Sequence, residues 1–118
     1  MYQDLLVWQK SMELVKQVYI LVEELPKKEN YVLSDQMRRA AISIPSNIAE
    51  GSGRSSRSEY KRFLEIARGS QYELQTQLQI CVMLNYLKKD DLENVFFLIS
   101  EIGKMLNSII KKLNIPNP

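Results

Sequence analysis

From Leu5 onward, apolar residues recur at Leu5, Trp8, Met12, Val15, Tyr19 and Val22, in steps of three and four. That is the period of a helix with one buried face. It predicts a first helix over residues 5–25, with Asp4 as N-cap and Pro26 as the stop. Val7, Leu14, Val18, Leu21 and Leu25 form a second stripe beside the first, so this helix has apolar surface for two neighbours. After the polar connection 27–32, Ser34 is the expected N-cap of a second helix over 34–51, whose inner face is Met37, Ala40, Ala41, Ile44 and Ile48. Pro45 falls within it. Because the apolar spacing persists through Ile48, the proline is expected to bend this helix rather than end it.

Ser56 and Glu59 have the spacing of a capping box, which opens a third helix over 57–86 through Tyr60, Phe63, Leu64, Ala67, Leu74, Leu78, Cys81 and Leu84. A fourth helix over 91–113 carries Leu92, Val95, Ile99, Ile102, Leu106, Ile109 and Leu113, and Asn114 and Pro116 close it. No alternating β pattern is present. Four helices with short connections run antiparallel to their sequence neighbours, so the expected fold is all-α, an up-down-up-down four-helix bundle in one domain spanning 1–118. Folding the hairpins sets Cys81 beside Val95 and Leu74 beside Ile102, and brings Ala40 and Ala41 near Ala67, Gly69 and Ser70. The wide apolar surface, with a third helix that outruns the first two and leaves rungs near Leu78 and Leu84 to be covered, predicts a homo-oligomer.

Composition narrows the chemistry. The chain of 118 residues has no histidine and one cysteine, Cys81. Histidine-dependent nucleophile systems, His-containing zinc sites and helical RNases with an Arg-x4-6-His motif are therefore excluded, and no cofactor or metal is expected. Cys81 is expected to be an inert core thiol, and Trp8 and Tyr19 core residues. No apolar run approaches a membrane span and no signal-peptide layout opens the sequence, so a cytoplasmic protein is expected.

A net charge of +2 is too small to imply nucleic acid, but its distribution is uneven: all six arginines lie between Arg38 and Arg68. Arg54, Arg57, Lys61 and Arg62 surround a glycine-hinged connection, Gly51-Ser52-Gly53, and the start of the third helix. With Arg68 and Arg39 they form a candidate phosphate-backbone site. The competing reading is a solvated turn whose arginines pair with Glu59 and Glu65. The connection is not a Walker loop, since no Gly-Lys-Ser/Thr follows at the required distance. Ser43, Asn47 and Glu50 are placed to satisfy backbone groups freed by Pro45 and to cap a neighbouring helix. Glu50 has no partner base that would make it catalytic.

Three segments carry a family resemblance. Asp4-Leu5-Leu6-Val7-Trp8-Gln9-Lys10, the stretch from Gln36 to Gly51 with Ile44-Pro45-Ser46-Asn47-Ile48-Ala49-Glu50-Gly51 at its end, and Phe63-Leu64-Glu65-Ile66-Ala67-Arg68-Gly69-Ser70 resemble the intervening-sequence proteins, small bundles encoded within insertions in 23S ribosomal RNA genes. The resemblance covers nearly the whole chain. It implies a bacterial, non-enzymatic up-down bundle that assembles as a ring, typically a homopentamer, and it points to RNA or DNA binding. Pro45, Asn47, Glu50, Gly51, Gly69 and Ser70 belong to its structural motif. The accessory variability proteins of diversity-generating retroelements are similar bundles that bind nucleic acid and a reverse transcriptase. The alternative, of a different class, is an oligomeric adaptor that binds a protein and touches no nucleic acid. Where the family tends to read Glu-Leu-Glu after Ser70, this chain has Glu73-Leu74-Gln75, so no acidic role carries to Gln75.

Overall fold

Four helices, α1 (Leu6–Val22), α2 (Leu33–Ser52), α3 (Arg57–Met83) and α4 (Glu93–Leu113), make up most of residues 1–114, the part of the chain that this computed structural model describes. Single 3-10 turns at Tyr2–Asp4, Lys27–Glu29 and Lys89–Leu92 precede or join them. Pro116, expected to help close the last helix, lies outside the described residues; Asn114 is the C-cap of α4. Among the described residues no helix is long and apolar enough to cross a membrane.

The pairing of the helices is read from side chains that meet. Gly51 faces Tyr60 and Phe63, the Ser70 hydroxyl lies 2.8 Å from that of Ser43, and Cys81 Sγ lies 3.6 Å from Met37 Sδ. These contacts run α2 antiparallel to α3. Arg68 bonded to Asn107 and Gln71 set against Gly103 do the same for α3 and α4. Lys10 Nζ, 3.1 Å from Glu101 Oε1, ties α1 to α4. The order is up-down-up-down, and the widest contact is between α2 and α3. The core between the helices includes Leu14, Val18, Met37, Ile44, Ile48, Leu64, Leu74, Leu78, Ile99, Ile102 and Leu106.

The inner face of α2 is the one the spacing predicts, and α2 runs unbroken through Pro45. In α1 the two stripes exchange roles. Val7, Leu14, Val18, Val22 and Leu25 are buried, whereas Trp8 and Val15 are half-buried and Met12 and Tyr19 exposed. The reason is Ser11. It is fully buried and its hydroxyl donates to the Trp8 carbonyl at 2.8 Å, so a small self-satisfied serine fills the inner stripe between Val7 and Leu14.

Several helix ends differ from expectation. Asp4 does not cap α1: it lies in the 3-10 turn, near the N-terminal ammonium, and extended Leu5 precedes the helix. Ser34 does not cap α2, which begins one residue earlier at Leu33 and leaves the Ser34 hydroxyl buried with no partner among the described residues. Ser56 does cap α3, accepting from the Glu59 amide at 3.1 Å. That helix stops at Met83 rather than 86, because Asn85 takes a left-handed conformation (φ 63°) that breaks the ladder and turns the chain toward α4. Leu84 is consequently 45% exposed rather than on the seam.

The small-residue contact lies elsewhere than expected. A Cβ on Gly69 would meet nothing within 4 Å, whereas one on Gly51 would lie 2.8 Å from Phe63 Cβ. Gly51 is thus where α2 and α3 approach each other closely. The α3 rungs at Leu78 and Cys81 need no second copy to cover them, being fully buried within the protomer.

Candidate nucleic-acid interface

The bundle topology sorts the charges by end. The C-terminus of α2, the N-terminus of α3 and the C-terminus of α4 meet at one end, which gathers Arg54, Arg57, Lys61, Arg62, Lys111 and Lys112 against Asp4, Glu50 and Glu59. The other end holds Glu23, Glu24, Glu29, Asp35, Asp90, Asp91 and Glu93 against Lys27, Lys28, Arg38, Lys88 and Lys89. Cations exceed carboxylates at the first end and fall short of them at the second. Lys111 and Lys112 are absent from the candidate site read off the sequence because they are far from Arg54 in the chain; the antiparallel register is the signal that would have found them.

The arginines are ordered to different degrees. Arg54 Nη2 pairs with Glu50 Oε1 at 3.0 Å, one turn away, and its guanidinium carbon sits 4.9 Å from the centre of the Phe63 ring. Arg62 uses the same ring, at 4.6 Å. Phe63 therefore holds two of the six candidate cations, a role that its place in an apolar repeat concealed. Lys61 makes no ion pair among the described residues. Arg57, on the first turn of α3, is itself engaged by the surrounding structure.

Two candidates lie farther from this end. Arg68 donates to Asn107 Oδ1 at 2.9 Å and approaches Glu65 Oε2 at 3.8 Å, which turns it toward α4. Arg39 pairs with Asp35 at 3.2 Å toward the opposite half of α2. These two are not brought together with Arg54 and Arg62. All the pairs are partly or well exposed, and such pairs hold weakly, about 0–1 kcal/mol, against a competing phosphate.

The motif residues on α2 form a polar seam to α3. Asn47 Nδ2 donates to both the carbonyl and the hydroxyl of Ser43, at 2.8 and 2.9 Å, and Ser43 continues the chain to Ser70. Asn47 thus serves the Ser43 carbonyl, not that of Ala41, which Pro45 deprives of a donor, and Glu50 pairs with Arg54 instead of capping a neighbour. On the other side of α2, Ile42, Pro45 and Ala49 face Trp8, Met12 and Val15 of α1 across an open groove of about 340 Å³.

Burial raises the Tyr60 phenol above its usual range, which keeps it neutral. No cluster of carboxylates and cysteine that could hold a metal ion occurs among the described residues. The arrangement offers cations on a helix-end surface, two of them against the Phe63 ring, a chemistry suited to anions.

Comparison with known proteins adds the lineage. The family model described as 23S rRNA-intervening sequence protein matches residues 3–108. A crystal structure from Bacteroides thetaiotaomicron VPI-5482, of a protein with unknown function from the S23 ribosomal protein family, superposes with a TM-score of 0.83 at 30% identity, covering 90% of this chain and 99% of that one. No curated protein matches the chain.

Proposed function

The chain belongs to the 23S rRNA-intervening sequence protein family, and from that premise we propose that it is a non-enzymatic, cytoplasmic, homo-oligomeric protein that binds RNA or DNA through the phosphate backbone at its basic end. The observation that supports this reading is the segregation of charge along the bundle: Arg54, Arg57, Lys61, Arg62, Lys111 and Lys112 belong to helix termini at the same end. Copies joined in a ring, with a pentamer favoured, would repeat that surface, and weak sites would sum through avidity.

Binding of a labelled single-stranded oligonucleotide, followed by fluorescence anisotropy, tests this. Four phosphate contacts give a log-log salt slope of about −2.8, a loss of roughly 50-fold in affinity between about 50 and 200 mM salt. Replacing Arg54 and Arg57 together by alanine should reduce the slope by about 1.4 and weaken unrelated sequences alike. No binding at about 50 mM salt would remove the reading.

Oligomerisation has its own support in the α1–α2 groove, where exposed Met12 and Ile42 border half-buried Trp8. Light scattering after size exclusion should give a mass several times that of the 13.8 kDa chain; a clean monomer at micromolar concentration would overturn it.

One observation favours the alternative, an oligomeric adaptor that binds a protein partner without touching nucleic acid. Arg39, Arg54 and Arg68 each have a carboxylate within their own stretch of chain. The anisotropy experiment separates the two readings.

A further inference from the structure

Resting on the phosphate-binding reading, we propose that Phe63 is the positioning residue of a two-point clamp, in which Arg54 and Arg62, braced on its ring, take neighbouring phosphates of one nucleic-acid strand. Their guanidinium carbons lie 4.9 and 4.6 Å from the ring centre, so the two charges are at most about 9.5 Å apart. Neighbouring phosphates of one strand lie farther apart through space than the axial rise of about 3.4 Å per nucleotide, and a span of up to about 9.5 Å accommodates two of them. Each guanidinium is a planar fork that can meet a phosphate through two N–H donors.

Unbraced, two arginines this close would repel each other and would have to be ordered by the ligand at the moment of binding. The π face of Phe63 offsets the repulsion and confines both side chains beforehand. The base of the Phe63 side chain is placed by the α2–α3 contact, where a Cβ at residue 51 would lie 2.8 Å from Phe63 Cβ. Arg62 is exposed and makes no ion pair among the described residues. Among the described residues, Arg54 has one ion pair to leave, with the exposed Glu50 carboxylate.

The arrangement separates charge from placement, and the two can be tested apart. Phe63→Leu keeps both cations, the Cβ contact with Gly51 and an apolar side chain, but removes the π face. In full-length protein binding an unstructured oligouridylate, it should lower affinity about fivefold while leaving the salt slope at the wild-type value, since the number of phosphate contacts is unchanged. Phe63→Tyr, which keeps a ring, should restore the wild-type affinity. Arg62→Ala, on the exposed face of the helix, should lower the slope by about 0.7 and serves as the test if the leucine variant does not fold.

Wild-type affinity in Phe63→Leu, or a wild-type slope in Arg62→Ala, overturns the clamp while binding that Arg54 and Arg57 still control leaves the broader phosphate reading standing. A wild-type protein that binds nothing overturns both.

Discussion

In native buffer near pH 8, Cys81 is expected to react with a thiol reagent at least about a thousandfold more slowly than in denaturant. Its side chain is fully buried, with Sγ 3.6 Å from Met37 Sδ in the α2–α3 contact. Burial, helped by the charge of Glu29, pushes the thiol up to about 11, so the reactive thiolate is scarce as well as inaccessible. Labelling must then wait for an opening, and at the usual domain stability of about 5–15 kcal/mol the unfolded fraction is below about one in a thousand.

The same shift has a pH consequence of definite sign. The folded protein holds the thiol proton more tightly than the unfolded chain, whose thiol titrates near the ordinary value of 9.0. The associated stability is fully present below that value and is lost as pH rises toward about 11. Cys81→Ala should therefore show a shallower alkaline decline in urea unfolding. Equal labelling rates in buffer and denaturant would refute the register of α2 against α3.

Gly51→Val is expected to cost about 3 kcal/mol, a large part of what holds a domain of this size. A Cβ there would lie 2.8 Å from Phe63 Cβ, 3.0 Å from Tyr60 Cδ1 and 3.3 Å from the Tyr60 carbonyl oxygen. Two of these atoms, Phe63 Cβ and the Tyr60 carbonyl oxygen, are one bond from the backbone or part of it, so relief requires α3 to move. Against this stands the better helix propensity of alanine, about 1 kcal/mol over glycine, so Gly51→Ala is expected to lose less. Valine keeps less of that gain and adds two methyl groups. Denaturant midpoints should fall in the order glycine, alanine, valine; three equal midpoints would mean that the helices are farther apart here than the structure has them. At Gly103 the neighbour is the amide end of Gln71, a long side chain that can swing aside, so the same substitution meets a softer obstacle.

These two glycines also show what the sequence made legible. The helices could be read from their period because Met37, Ala40, Ala41, Ile44 and Ile48 point one way whatever they pack against. Which stripe of α1 faces inward was not decided by period, since both are apolar; it turned on Ser11, whose burial depends on a bond to its own helix. Gly69 and Gly51 look alike in the sequence, and only the rotation of α3 about its axis decides which of them a neighbour touches. The candidate interface was legible as an arginine-rich stretch. Its reach to Lys111 and Lys112 and its brace at Phe63 depend on tertiary register, which composition cannot supply.

The order of the contacts bears on how the chain finds its fold. The three successive hairpins involve helices adjacent in sequence, and the widest contact, α2 with α3, closes across a four-residue connection between Ser52 and Arg57. Loop closure there costs little entropy, so this hairpin can form early and offer a surface on which α1 and α4 dock. The narrowest of the four helix pairings, α1 with α4, joins the two ends of the sequence and is the last to be rewarded. A protein assembled in this order keeps its non-local closure for the final step, the pattern of helical bundles that fold within microseconds to milliseconds.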